Sequence, residues 1–509
     1  MKHNCFLIFS QIYDKLIFVK ILLKFFYTST PKLFFTKEYV MKRLLCIFIA
    51  LVCVSALLAS CDKKKESNEG KGASNADAQY LSHIEIEDFG GYNFRILSRS
   101  GMVPDQYVEE ETGDIVNDAV YRRNEAVKAL FNIDITAIES STSNADDAIN
   151  TILAGDDQYD IILPHSRVAF SYAIQNTVVD YKTIDTIDLS KEWWSQDIIE
   201  SGSVNNHLYV LDGDISTHRL QYAFCMFFNK RIFDELGLDY PYQTALDENW
   251  TFDEFSRLVK QGSKDLNGDG ILKPEDDQFG YYTWNWYGPI NVLYSGGSKI
   301  YTNNKKGIPE LTLNSPKTVE IFSKYFNLCK TDDVRLFIQM KGESDPAGSL
   351  FREGRAMFAD MGLGSAKSLR NMNDEFGIIP WPKFTKEDKY ATVVNGAASL
   401  MVMPVTVSDY NRSGKIIEAL CAIGSRDVIP AFYDVSLKTK FARDYESEAM
   451  IDIVKNSIIY DLGYCSGGTF QSIGHTLAGM NNPDFGSYYA ANETKALNEL
   501  SNFIQSYGK

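Results

Sequence analysis

Apolar positions along the chain switch between a helical period and a strand period, with the switches close together. Val120, Val127, Leu130 and Phe131 share one face of a helix predicted over 118–131. Short apolar or alternating runs at 93–97, 133–138 and 159–163 read as strands around it, with a further helix at 146–154. Beyond these, 208–211 and 223–229 are strand-like and 230–238 is helical. Thr251-Phe252-Asp253-Glu254 forms a capping box that opens a helix with Phe252, Phe255, Leu258 and Val259 inward. Ser315-Pro316 opens another, with Val319, Phe322, Phe326 and Cys329 as its stripe. Helices at 346–353, 413–423 and 447–462 and strands at 356–361, 376–380 and 397–403 complete the pattern. Strands alternating with helices predict an α/β protein whose sheets are mostly parallel, with ligands at the strand C-terminal ends. The loops 98–101 and 164–167 are then the ones to watch. A chain of 509 residues with 45% apolar content exceeds one core and divides into lobes.

The N-terminal region sets the compartment. From Met41 the chain reads as a basic start, Lys42-Arg43, an apolar run, and then Leu58-Ala59-Ser60-Cys61, which resembles the bacterial lipobox. Cys61 is expected to become the lipidated first residue of a chain anchored to the outer face of the cell membrane. The apolar run is too short to span a bilayer, which needs about 20 residues. Residues 1–40 precede this complete signal and read as an overextended start, and 41–60 is the signal peptide. Residues 61–81, polar and low in aromatics, form a flexible tether to a body that begins near 82.

Composition narrows the function classes. The formal charge is −16, and residues 1–60 hold eight Lys and Arg against Asp14 and Glu38, so the folded part is more acidic still. Phosphate backbones need clustered cations, so nucleic acid is excluded as a partner. The eight cysteines contain no CxxC pair, which leaves a zinc cluster or redox motif unsupported. No GxSxG or HExxH motif occurs and there are six histidines, so a lipid-anchored hydrolase has no recognisable nucleophile and base.

Five segments resemble the carbohydrate-type extracellular solute-binding family that includes the maltodextrin-binding proteins. They are 159–167 followed by 178–181, 206–213, 223–230, 351–362 and 376–382. The most specific is 351–362, Phe-Arg-Glu-Gly-Arg-Ala-Met-Phe-Ala-Asp-Met-Gly, similar to the family's F-x-x-G-x-A-A-M-x-x-x-G. Leu363 stands where Trp is frequent, and residues beyond 440 match nothing in the pattern. The resemblance implies a two-lobed periplasmic-binding-protein-like fold of type II, joined by hinge strands and closing on its ligand. Lobe 1 would comprise 82–220 and 395–435, lobe 2 221–394 and 436–509. A monomer handing its solute to ABC transporter permease subunits is the implied function. A surface sugar-binding protein serving a sensor or adhesion uses the same lobes and stays open as an alternative.

Sugars are held by aromatic faces against C–H surfaces and by planar polar groups on hydroxyls. Trp193, Trp194, Tyr222, Trp284, Trp286 with its neighbour Tyr287, and Trp381 are the aromatic candidates. Ser166 and Arg167 follow a buried strand, Asp212 and Asp214 flank Gly213 before the first crossing, and Asn395 lies at the return crossing. No catalytic cofactor is expected. Asp265, Asn267, Asp269, Ile271 and Asp276 match positions 1, 3, 5, 7 and 12 of an EF-hand-type loop, with Gly270 at the turn, which predicts a structural Ca2+.

Overall fold

The computed structural model describes residues 75–338, 349–433 and 445–507. The chain divides into two compact units, 1–70 and 71–509, and the architecture below is that of the second. Cys61 and the expected export signal lie outside the described residues.

Strand β1 (Tyr92–Ser98) is the centre of a parallel sheet, with β2 (Ile133–Glu139) on one side and β3 (Ile161–Leu163) on the other. Helix α1 (Ile115–Phe131) makes the β1-to-β2 crossover. Asp114 caps it by accepting the Val116 and Asn117 N–H groups, and Asn132 ends it in the left-handed region at φ 47°. Val120, Val127 and Phe131 are buried along it, as the periodicity requires. Helix α2 (Ala148–Leu153) precedes β3, and α3 (Ser166–Ile174) follows it directly. The runs expected as strands at 208–211 and 397–403 join the sheet through isolated antiparallel pairs, Leu211 with Met401 and Ile162 with Val402. Pro404, which has no N–H to donate, follows them.

Strand β4 (Phe224–Asn229) enters a second, five-stranded sheet. It is buried at every position, which is why it reads as an unbroken apolar run up to Asn229. Helices α4 (Lys230–Leu236) and α5 (Phe252–Gly262) follow, then β5 (Phe279–Trp284), α6 (Gly288–Ser295), α7 (Pro316–Cys329), β6 (Val334–Phe337), β7 (Ala356–Gly362) and β8 (Phe376–Ile379). The order is β8-β4-β7-β5-β6, with β5 parallel to β7 and β6 and with β4 antiparallel to β7 and β8. In α7 the buried stripe is Ile321, Phe322, Tyr325 and Phe326, while Val319 is 44% exposed and Cys329 half-buried, a rotation of about one position from the expected face. Tyr325 carries more apolar area than Val319, so the helix turns its ring inward.

Three segments pass between the sheets. Ala223 pairs with Val394, and β9 (Thr392–Val393) pairs in parallel with β10 (Ile458–Ile459). Helix α8 (Tyr410–Ile423) belongs with the first sheet, packing on α1, and α9 (Tyr445–Asn456) with the second, packing on β8. The helix expected over 447–462 stops at Asn456. Two β-branched residues, Ile458 and Ile459, pair as a strand, and buried Asp461 accepts the N–H groups of Ile300, Tyr301 and Gly463.

The C-terminal segment carries α10 (Ile473–Ala478) and α11 (Phe485–Ser506), which touches both lobes. Phe485 lies 5.4 Å from Phe322 of lobe 2. At the other end Phe503 lies 6.3 Å from Phe170, and the Tyr507 hydroxyl donates to the Gly202 carbonyl of lobe 1 at 2.9 Å. Among the described residues no helix is long and apolar enough to cross a membrane.

Candidate functional site: the interlobe cleft

Parallel strands place their loops at one end of each sheet, and here the loops after β1, β3 and β5 meet across the crossing segments. In lobe 1, β1 is followed by Arg99 and β3 by Pro164-His165-Ser166-Arg167. His165 caps α3 through Nδ1, which accepts the Arg167 N–H at 3.2 Å. From the first turn of that helix Arg167 reaches out of its lobe. Its guanidinium lies 5.2 Å over the Trp286 ring and 5.5 Å over the Tyr464 ring and donates to Ser472 Oγ. The Gln471 side chain donates to the Arg167 carbonyl at 3.3 Å.

Lobe 2 supplies the aromatic wall. β5 ends in Trp284-Asn285-Trp286-Tyr287, where Trp284 stacks on Tyr287 at 5.1 Å and Trp286 stacks on His475 at 3.7 Å and 13°. The crossings form the floor: the Asn395 N–H donates to the Tyr222 carbonyl at 2.8 Å, and the Gly396 N–H donates to the Tyr464 hydroxyl at 3.1 Å. A side chain at Gly396 would run into Arg167, so this position needs glycine for the close approach. The Tyr222 hydroxyl points to Met102 Sδ at 3.8 Å.

Burial, then the neighbouring Arg99 and Arg167 charges, hold His165 down to about 4. His475 is lowered by burial and by Arg167. Both rings are therefore neutral at pH 7 and offer hydrogen bonds without charge. Burial pushes the Tyr287 hydroxyl up to about 12, so it stays protonated as a donor. Flat aromatic faces beside neutral donors and a planar guanidinium suit a hydroxylated ring.

Of the residues singled out by sequence, Arg167, Tyr222, Trp286 and Asn395 are brought together here, with Trp284 behind Tyr287. Ser166 borders the site but is buried, and its hydroxyl donates to the Gly396 carbonyl at 2.8 Å, tying α3 to the return crossing. Trp193 and Trp194 are corrected: both are buried in lobe 1, where the Trp194 indole N–H donates to Glu418 at 3.0 Å and Trp193 packs against His83. Trp381 is corrected too, being buried in lobe 2 against Phe255 and Tyr281. Indoles are the largest side chains to hide, and these three take core positions where the sheets need volume. Asp212 and Asp214 bind Arg219, at 3.9 and 2.6 Å, and the Tyr460 hydroxyl donates to Asp212 at 2.9 Å. They pin the crossings as a buried ion cluster beside a separate cavity of about 400 Å³ lined by Glu192, Asp197, Asp214, Arg219, Tyr433 and Lys455.

Arg99, His165, Tyr464, Ser472 and His475 were not among the sequence candidates. The first two lie in the loops flagged at 98–101 and 164–167. Tyr464, Ser472 and His475 come from the tail, where no motif marks them.

The loop at 265–277 folds on its own backbone. Asp265 accepts the Gly268 and Gly270 N–H groups at 2.6 and 2.7 Å, and Asn267 and Asp269 accept those of Asp269 and Ile271. Gly270 is left-handed at φ 82°, as the expected turn requires. Asp277, one residue beyond the expected Asp276, ties the loop by accepting the Leu266 and Lys273 N–H groups, and the Lys273 ammonium contacts Asp269 at 2.6 Å. Among the described residues no three His, Cys, Asp or Glu side chains converge to hold a metal ion.

The profile of a family described as bacterial extracellular solute-binding protein matches residues 121–408. No curated protein sequence matches the chain. Among solved structures the fold is similar to the GacH receptor of Streptomyces glaucescens, described unliganded and with acarbose. The identity is 12%, 81% of this chain and 98% of that one are covered, and the TM-score is 0.54. It is also similar to a Thermotoga lettingae solute-binding protein bound to α-D-tagatose, at 15% identity, 81% and 100% coverage and a TM-score of 0.51. UgpB from Mycobacterium tuberculosis, in complex with glycerophosphocholine, matches at 15% identity, 82% and 98% coverage and a TM-score of 0.52. Two α/β lobes, a polar and aromatic cleft at their strand ends, and a family profile spanning more than half the sequence lead to one conclusion: this chain belongs to the bacterial extracellular solute-binding proteins, which bind their substrates and are not enzymes.

Proposed function

We propose that the protein captures a carbohydrate between its lobes and delivers it to an ABC-type permease, held at the outer face of the membrane by lipidated Cys61. The observation that carries this reading is the cleft itself, in which Trp286, Tyr287, Tyr222 and Tyr464 present rings beside Asn395 and Arg167. Sugars bound to relatives of the same fold support it.

The test is a thermal-shift screen of the purified chain against mono- and oligosaccharides, with the sugars recovered and analysed afterwards. A ligand that binds only the native state raises the midpoint by mass action. A shift with one sugar class and intact sugar supports the reading; no shift with any sugar sinks it. In the same assay Trp286→Ala is expected to weaken binding roughly tenfold or more, as loss of a central aromatic contact does. The unliganded midpoint should barely move, because Trp286 is half-buried at the cleft.

The loop at 265–277 is proposed as a structural calcium site, supported by its D-x-N-x-D-G order and left-handed Gly270. Calcium must displace the Lys273 ammonium from Asp269. Lys273→Ala is therefore expected to tighten calcium binding in a calorimetric titration, and equal affinities for both chains would remove Lys273 from the account.

A further inference from the structure

In this acidic chain arginines find carboxylates readily. Arg95, Arg219, Arg231, Arg257, Arg355 and Arg426 each meet one within 2.6 Å. The two arginines of the cleft do not. Among the described residues Arg99 donates to the carbonyls of Ser143, at 2.5 Å, and Ala397. Arg167 donates to Ser472 Oγ, and its Nε is buried without a partner. Away from the cleft, fully buried Arg123 is taken up by Asn124 and by the carbonyls of Ile215 and Gln106, and Arg412 lies on the Tyr92 ring and donates to Ser408.

Nearby acids are engaged elsewhere. The Asp105 carboxylate is taken by His218 Nε2 at 2.7 Å and Gln221 at 2.9 Å. Glu139 accepts from Ser100 Oγ and the Gly101 N–H at 2.9 and 2.7 Å. Asp360 is buried behind the wall, accepting from Asn291. His165 lies close enough to feel both guanidinium groups: burial first, and then the Arg99 and Arg167 charges, depress its basicity. Two guanidinium groups without counter-charges, Arg99 buried and Arg167 half-buried, favour an anion that they can share.

We infer that the cleft is built for an anionic carbohydrate, a saccharide carrying a carboxylate or an ester phosphate, with the acidic group on Arg167 and Arg99 supplying the second positive charge. The planar fork of Arg167, lying over the Trp286 and Tyr464 rings, carries donors of the kind that carboxylate and phosphate match. This rests on the carbohydrate reading above and narrows it.

The experiment is calorimetric titration of the purified full chain with matched pairs: trigalacturonate against galactotriose, and glucose 6-phosphate against glucose. The acidic member of at least one pair should bind about tenfold or more tighter, and that preference should shrink as salt rises from about 50 to about 500 mM. Arg167→Gln should cost the acid about tenfold more than it costs its neutral partner, with Arg167→Lys between the two chains. The salt dependence of the unaltered chain supplies a readout that needs no variant to fold. Equal binding of acidic and neutral members, or a preference untouched by Arg167→Gln in a folded variant, overturns the inference and leaves the carbohydrate reading standing. Binding of no saccharide at all overturns both.

Discussion

Replacing Trp381 by alanine is expected to lower stability by about 3–5 kcal/mol while leaving ligand affinity unchanged at temperatures where the variant is folded. The ring is 1% exposed and lies 6.1 Å from Phe255 and 6.2 Å from Tyr281, inside lobe 2. Its removal leaves a cavity that rigid aromatic neighbours fill poorly, so the cost joins lost transfer energy to lost contacts. A midpoint lower by roughly 5 °C is the corresponding thermal readout. The contrast with Trp286→Ala separates core from site: one substitution moves stability, the other affinity. If Trp381→Ala instead weakened the ligand and spared the midpoint, the assignment of this tryptophan to the core would be wrong.

The second large effect concerns Asp360. This carboxyl is fully enclosed on β7, with Asn291 donating to one oxygen at 3.2 Å and the other oxygen without a partner. Burial pushes it up to about 7, with the Asn291 hydrogen bond only partly opposing the shift. An unfolded aspartic acid ionises near 3.8, so between that pH and about 7 the folded chain keeps a proton that the unfolded chain has lost. Stability from this group is thus full below about pH 4, falls as pH rises, and is lost above about pH 7. The total is about 4 kcal/mol at 1.36 kcal/mol for each pH unit between the two values. Asp360→Asn removes the charge and keeps the shape. The variant should match the unaltered chain near pH 4 and exceed it by a few kcal/mol near pH 8, read by chemical denaturation. A stability difference that does not change with pH would remove ionisation of Asp360 from the account.

Much of the architecture could be read from residue patterns because the signals are local. The capping box at Thr251 and the Ser315-Pro316 start appear as helix caps, with Thr251 and Ser315 accepting the N–H groups of Glu254 and Thr318. The run at 223–228 is apolar throughout because both faces of β4 are covered. The strand β5 was missed because Tyr281, Tyr282 and Trp284 give no alternation, and Gly280 breaks the propensity. That glycine is required where α5 packs, since a Cβ there would enter the Val259 carbonyl. The helix at 447–462 was overrun because its apolar content continues into Ile458-Ile459, whose strand partner lies some 65 residues earlier in the chain.

The candidate site divides along the same line. Residue order alone determined the class of fold, the loops after β1 and β3, and the aromatic run at 284–287, since these depend on periodicity and on short motifs. It could not rank the tryptophans, because Trp286 and Trp381 are the same residue type near a strand end, and only packing decides which ring is covered. Nor could it pair Arg167 with Ser472 or Trp286 with His475, contacts between residues far apart in sequence. The tertiary structure decided those, and with them the unneutralised charge of the cleft, because whether an arginine meets a carboxylate depends on distances in space that no local pattern encodes.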